Sequence, residues 1–86
     1  MEYTIEEIEK MAAVIGDCLH ISPNRVFTTL TIKENDIHSF NSTIARYVRH
    51  SKRFLKRRIQ VAVRKCTMEI WNARDSKRRA HRYNYN

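Results

Sequence analysis

Cationic side chains recur along the second half of the chain at spacings that place them on one side of a helix. At 100° per residue, Arg46, Arg49 and Arg53 turn toward the same direction, and the cations that follow continue the row. Guanidinium groups bind phosphates through two parallel hydrogen bonds, and each cation on a phosphate releases a condensed counterion. The row therefore predicts a surface that neutralises a polyanion. Its members are Arg46, Arg49, Arg53, Lys56, Arg57 and Arg64.

The charge of the chain is divided sharply between its two halves. Residues 1–43 carry three basic and seven acidic side chains, a balance of −4, and residues 44–86 carry fourteen basic and two acidic side chains, a balance of +12. A half this cationic repels itself unless an anionic partner shares its field. Ten of its fourteen cations are arginines, which favours bidentate contacts to phosphate or guanine. Nucleic acid is therefore the first partner that the composition predicts.

Composition also limits where the chain works. Its 86 residues are enough for one small domain. The acidic start of the sequence is unlike a secretory signal, and no apolar run approaches the roughly 18 residues that span a bilayer. We expect an intracellular protein, in the cytoplasm or nucleoid, or in a nucleus if the source is eukaryotic, with no membrane partner.

The scarcity of chain breakers predicts an all-α fold. Gly16 is the only glycine and Pro23 the only proline, so tight turns are few and long helices are easy to form. A first helix begins at Thr4, where Glu7 three residues on completes a capping box. Its apolar face should pack on a long basic helix. The predicted core residues of the first helix are Ile5, Ile8, Met11, Ile15 and Leu19.

The elements that carry the cations come after Pro23. A short helix over 23–30 is predicted, although the β-branched segment Phe27–Ile32 is also compatible with an extended strand. A long helix should begin near Ser39 or Asn41, either of which can cap it, and run to about residue 73. A break near His50–Arg53 is compatible with its length. Residues 1–73 then form the helical domain, and residues 74–86 form a basic, flexible tail.

One local pattern resembles a known family. An apolar residue, Ile32, is followed eleven positions later by Thr43, as in the helix-turn-helix of many DNA-binding domains. Ser39 falls where that family often opens its recognition helix, and Ile37 stands where the family has its turn glycine. The resemblance implies that four side chains reach base edges and that Arg49 and the cations beyond it hold phosphates. The four are Asn41, Ser42, Thr43 and Arg46.

The C-terminal segment supports a variant of the same function. Arg78, Arg79 and Arg82 are followed by the tyrosines at 83 and 85, and basic and aromatic residues together can follow a phosphate backbone while stacking on bases. RNA is therefore an alternative to double-stranded DNA, which the basic helix favours.

A function of another class stays open. A basic helical protein of this size could be an inhibitor or adaptor that covers an acidic surface of a protein, with Tyr47, Phe54 and Trp71 as anchors and the arginines steering association. An exposed apolar patch that includes Val61 and Met68 would favour this alternative.

No catalytic site, cofactor or metal is predicted. The histidines and the two cysteines, Cys18 and Cys66, lack the spacing of zinc ligands, and the chain has no glycine-rich phosphate loop. Both cysteines are expected to be reduced and buried. The sequence thus predicts a small non-enzymatic DNA-binding protein, a regulator, which completes its small core by forming a homodimer.

Overall fold

The computed structural model describes residues 3–32 and 37–84, with side chains described for 3–31 and 41–82. Within these ranges the chain forms four α-helices and no strand, which confirms the all-α class. None of the described helices is long and apolar enough to cross a membrane. The helices are α1 (Ile5–Leu19), α2 (Pro23–Ile32), α3 (Ile37–Arg49) and α4 (Arg53–Asn84).

The predicted capping box opens α1. The backbone N–H of Glu7 donates to Thr4 Oγ1 at 3.1 Å, and the backbone N–H of Thr4 donates to Glu7 Oε1 at 2.9 Å. Two backbone donors that a helix start leaves open are thereby satisfied.

Gly16 allows the chain to turn closely from α1 into α2. His20 ends the helix in the left-handed region, with φ 58° and ψ 40°, and the N–H groups of His20 and Ile21 both donate to the Gly16 carbonyl. A Cβ at Gly16 would lie 2.8 Å from the Ile21 carbonyl oxygen and 3.2 Å from the Pro23 nitrogen. Only glycine therefore fits where the two helices meet.

The β-branched segment Phe27–Ile32 is helical, which resolves the alternative left open by its composition. The hydroxyls of Thr28 and Thr29 donate to carbonyl oxygens four residues earlier, at 2.9 and 3.1 Å. Val26 and Leu30, one turn apart, are fully buried in the core. Burial of this face outweighs the weak helix propensity of the threonines.

The long basic helix is interrupted where the sequence suggests it. α3 ends at Arg49 and α4 begins at Arg53. The Val48 carbonyl accepts hydrogen bonds from both the N–H and the hydroxyl of Ser51, at 3.3 and 2.6 Å. The serine thus satisfies a carbonyl that the helix end leaves open, and the cations are shared between two helices.

The predicted end of the basic helix near residue 73 is wrong. α4 continues through Asn84, so residues 74–84, assigned to a flexible tail by the sequence, form its last turns. Cys66 and Ile70 are buried against the core, and Arg74, one turn further on, binds α1. The buried face of α4 therefore extends past residue 73. A pattern of apolar residues does not show this, because the next residue on that face is the charged Arg74.

The core lies where α1, α2 and α4 meet, with a smaller contribution from α3. The predicted packing of α1 on α4 is confirmed, with two exceptions in α1. Ile5 is 55% exposed because it is the first residue of the helix and lies at the edge of the buried arc, and Leu19 is half-buried. Cys18 and Cys66 are buried and free, as expected. The core cluster contains Ile8, Met11, Ala12, Ile15, Val26, Leu30, Ile44, Cys66 and Ile70.

Candidate nucleic-acid interface

The outer face of α3 carries three of the predicted contact residues. Ser42, Arg46 and Arg49 are exposed and lie on the side of the helix opposite Ile44, which is buried in the core. Spacings of four and three residues place the three side chains in one row. The three side chains form one exposed polar row along α3.

The other two predicted base contacts lie on the two flanks of this row. Asn41 is exposed but lines a groove between α3 and α4. Thr43 is half-buried and lines a cleft of about 420 Å³ beside Leu19 and Tyr47. The two side chains therefore lie on opposite flanks of α3, and Arg46 lines the same cleft as Thr43.

A cluster of exposed cations surrounds the junction of α3 and α4, and we call it the basic corner. Arg53, Lys56 and Arg57 occupy the first turns of α4, which contain no acidic residue. Lys52, which is not part of the predicted row, adds an exposed cation within the break itself. All six members are exposed, and none forms an ion pair with another described residue. The basic corner consists of Arg46, Arg49, Lys52, Arg53, Lys56 and Arg57.

The remaining predicted phosphate contacts lie further along α4. Arg64 is about 16 Å from Arg53 along the helix axis and lines the groove between α3 and α4. Arg78 and Arg79 are about 37 Å or more from Arg53. Arg78 lies 3.8 Å from Asp75 in an exposed ion pair. These cations are exposed, but they do not join the basic corner.

The three predicted protein anchors have different surroundings. Phe54 is 76% exposed, next to the basic corner. Trp71 is 49% exposed, and the guanidinium carbon of Arg74 lies 4.6 Å from the centre of its ring. Tyr47 is half-buried and packs against the core. Phe54 is thus the most accessible of the three.

Arg74 is the cation whose role the sequence does not reveal. Its Nε donates to Glu7 Oε2 at 2.7 Å, and its Nη2 donates to Glu7 Oε1 at 2.6 Å. The guanidinium also lies over the ring of Tyr3, 5.3 Å from its centre. The hydrogen bonds from Arg74, with that from the Thr4 backbone, lower the pKa of Glu7 from 4.5 to about 2, against the effect of burial. The pair joins residues 67 positions apart, so no local pattern could indicate it.

The described residues give no sign of a metal centre. Across 3–32 and 37–84, no three His, Cys, Asp or Glu side chains are grouped closely enough to hold a metal ion. Burial raises the pKa of the Cys66 thiol, and Glu69 adds to the effect. The thiol therefore stays protonated and unreactive at neutral pH.

The fold and site define a small all-α protein with a cationic corner between two helices. No protein-family model, curated protein or solved structure matches the chain. The helix-turn-helix resemblance therefore stays a prediction. Its elements fall as follows: Ile32 ends α2, Thr43 lies within α3, and Ile37, at the position of the family's turn glycine, is the first residue of α3. The turn itself, residues 33–36, lies outside the described residues.

Proposed function

We propose that this chain is a non-catalytic DNA-binding protein, with a regulatory role, whose basic corner supplies most of the affinity. The observation that carries the proposal is a group of six exposed cations around one helix junction, without an acidic partner among the described residues. Phosphates are the ligands that such a group would bind most strongly.

The placement of these cations destabilises α4 in the absence of a ligand, and an anionic ligand would offset this effect. The start of a helix carries positive partial charge, so Arg53 and Lys56 stand at the unfavourable end of α4. Arg53 and Arg57 are like charges four residues apart, which costs an exposed helix about 0.2–0.5 kcal/mol. A phosphate at this helix start would relieve both effects. Violations of local stability rules of this kind are typical of functional surfaces.

The outer face of α3 favours duplex DNA over RNA. The major groove of B-form DNA admits an α-helix, whereas the corresponding groove of A-form RNA is too narrow for side chains to read. Ser42 and Arg46 present polar groups along this face, and Arg49 leads from it into the basic corner. In this arrangement α3 lies in the groove and the corner holds the flanking phosphates. The tyrosine side chains predicted to stack on single-stranded bases lie outside the residues whose side chains are described.

A comparison of polymers tests the proposal. Labelled duplex DNA, single-stranded DNA and RNA of one sequence are titrated with the purified chain at the same low salt concentration. We expect duplex DNA to bind tightest. Binding to none of the three would contradict the proposed function, and tighter binding to RNA or single strands would contradict the choice of polymer.

The last turns of α4 can be tested separately. Truncation after Ala73 would also remove Arg74 and its contact with Glu7, so Arg78→Ala with Arg79→Ala is the better variant. We expect these changes to weaken duplex DNA binding by less than about tenfold, because they remove two cations remote from the basic corner. A selective loss of RNA or single-strand binding would assign these turns to stacking contacts instead.

A further inference from the structure

Three large apolar side chains form a row along the exposed side of α4, and we call it the outer stripe. Phe54 is 76% exposed, Val61 55% and Met68 58%. Their seven-residue spacing places them nearly in line, about 10 Å apart along the helix. An exposed apolar row of this length on a small protein marks an interaction surface.

The outer stripe faces away from the core of the chain. Ile59 and Cys66 are buried, and each precedes a member of the stripe, Val61 or Met68, by two residues. Two residues correspond to 200° around a helix, so the buried and exposed rows lie on opposite sides. α4 therefore has two apolar faces, and the described part of the chain covers only one of them.

Cations border the outer stripe on both edges. Helical geometry places Arg57 and Arg64 along one edge and Arg58 and Lys65 along the other. All four are exposed. The sequence contains no acid between Asp36 and Glu69, so this part of the helix presents an apolar line between two positive rows.

We propose that the outer stripe docks an acidic amphipathic helix of another protein. Apolar side chains repeating every seven residues on the partner would fill the spaces between Phe54, Val61 and Met68, as in a coiled coil. Carboxylates flanking the partner's apolar row would meet the arginines on both edges, which sets orientation and speeds association. The proposal stands on the exposure and charge of α4 and does not rest on DNA binding.

A second copy of the chain fits this surface poorly. Pairing two outer stripes antiparallel would set Arg57 and Arg58 against the cations at 64 and 65. Parallel pairing would set the edge with Arg57 and Arg64 against the edge with Arg58 and Lys65, which is equally cationic. The exposed acids of α1, such as Glu9 and Asp17, have the opposite charge. However, the face between these acids has Ala13 as its apolar residue and no large side chain to fill the stripe. The homodimer predicted from the small core would therefore need another surface.

Nucleic acid is also a poor match for the stripe itself. Phosphate oxygens gain from the arginines at the edges but nothing from Phe54, Val61 and Met68, which offer no hydrogen-bond donor. Removing the three apolar side chains should therefore weaken binding of an acidic helix and leave binding of nucleic acid unchanged.

The test uses a synthetic helix of about three heptads with Leu at every a and d position and Glu at every e and g position. Its binding to the full chain is measured by fluorescence anisotropy, beside the same peptide with Lys in place of Glu. We expect the Glu peptide to bind and the Lys peptide not to bind. Phe54→Ser with Val61→Ser and Met68→Ser should weaken binding at least tenfold. Ile5→Ser, which changes an exposed apolar residue of α1, is the matched control and should leave binding unchanged.

Each other outcome would overturn the inference. Equal binding of the two peptides, or unaltered binding by the triple variant with its helical circular dichroism intact, would remove the stripe as an acidic-helix site. A tenfold loss of duplex DNA affinity in the triple variant would assign the stripe to nucleic acid. Stripe-dependent dimerisation, or stripe-dependent binding to anionic vesicles without peptide binding, would assign it to a second copy or a lipid surface. If DNA binding fails in every assay while the Glu peptide binds through the stripe, the proposed function is wrong and this inference stands.

Discussion

Arg53→Glu combined with Arg57→Glu is expected to abolish measurable binding to duplex DNA near 0.1 M salt while the chain stays folded. The variant removes two phosphate contacts, with the counterion release that each supplies, and places two carboxylates that repel the remaining phosphates. Both side chains are exposed. Glutamate suits the positive end of α4 better than arginine does, so the melting temperature should be unchanged or higher. Anisotropy with labelled duplex and thermal circular dichroism measure the two effects.

A matched pair of substitutions distinguishes a loss of DNA affinity caused by lost contacts in the basic corner from one caused by lower net charge. Lys10→Glu with Arg25→Glu alters net charge by the same amount, at exposed cations of α1 and α2. We expect this pair to weaken binding far less than the pair in the basic corner. Equal losses from the two pairs would mean that general attraction, and not the corner, holds the DNA. Wild-type affinity in the corner variant would remove the corner from the interface.

Arg74→Ala is expected to lower the free energy of unfolding by about 2–4 kcal/mol at pH 7. The change leaves the carboxylate of Glu7, only 13% exposed, without its two strongest hydrogen bonds. It also removes the guanidinium from the rings of Tyr3 and Trp71. Denaturant unfolding followed by circular dichroism measures the loss. Arg78→Ala, which breaks only the exposed pair with Asp75, is the control and should cost less than about 0.5 kcal/mol.

The pH dependence of this loss identifies its electrostatic part. The pKa of Glu7 is lowered from 4.5 to about 2 in the folded chain, so the stabilisation is complete above pH 4.5 and disappears as pH falls toward 2. The difference in stability between wild type and Arg74→Ala should therefore shrink over that range, on the order of 2–3 kcal/mol at most. A difference that stays constant from pH 7 to pH 2 would mean that Arg74 acts through packing alone.

Local sequence patterns anticipated the elements whose causes are local. The capping box at Thr4 and the break before Arg53 both depend on neighbours within a few residues. The end of α4 was missed because Arg74 extends its buried face through a partner on α1. A charged residue in that position is indistinguishable from a solvated one until its distant partner is known.

In the candidate site, too, the sequence predicts what depends on local periodicity but not what depends on tertiary packing. Helical periodicity placed Arg46, Arg49 and Arg53 on the surface, where they are found. Periodicity does not reveal which neighbouring helix covers a flank, so it could not show that Asn41 lines a groove against α4 or that Thr43 is half-buried in a cleft beside α1. Their places beside α4 and α1 follow from tertiary packing of α3.

The salt dependence of duplex DNA binding by the wild-type chain tests the central proposal most directly. The equilibrium constant is measured by anisotropy between roughly 50 and 300 mM NaCl. If all six cations of the basic corner contact phosphates, the logarithm of the association constant should fall against the logarithm of salt concentration with a slope of about −5. A slope near zero, or no binding at the lowest salt, would contradict the proposal that this chain binds DNA through its basic corner.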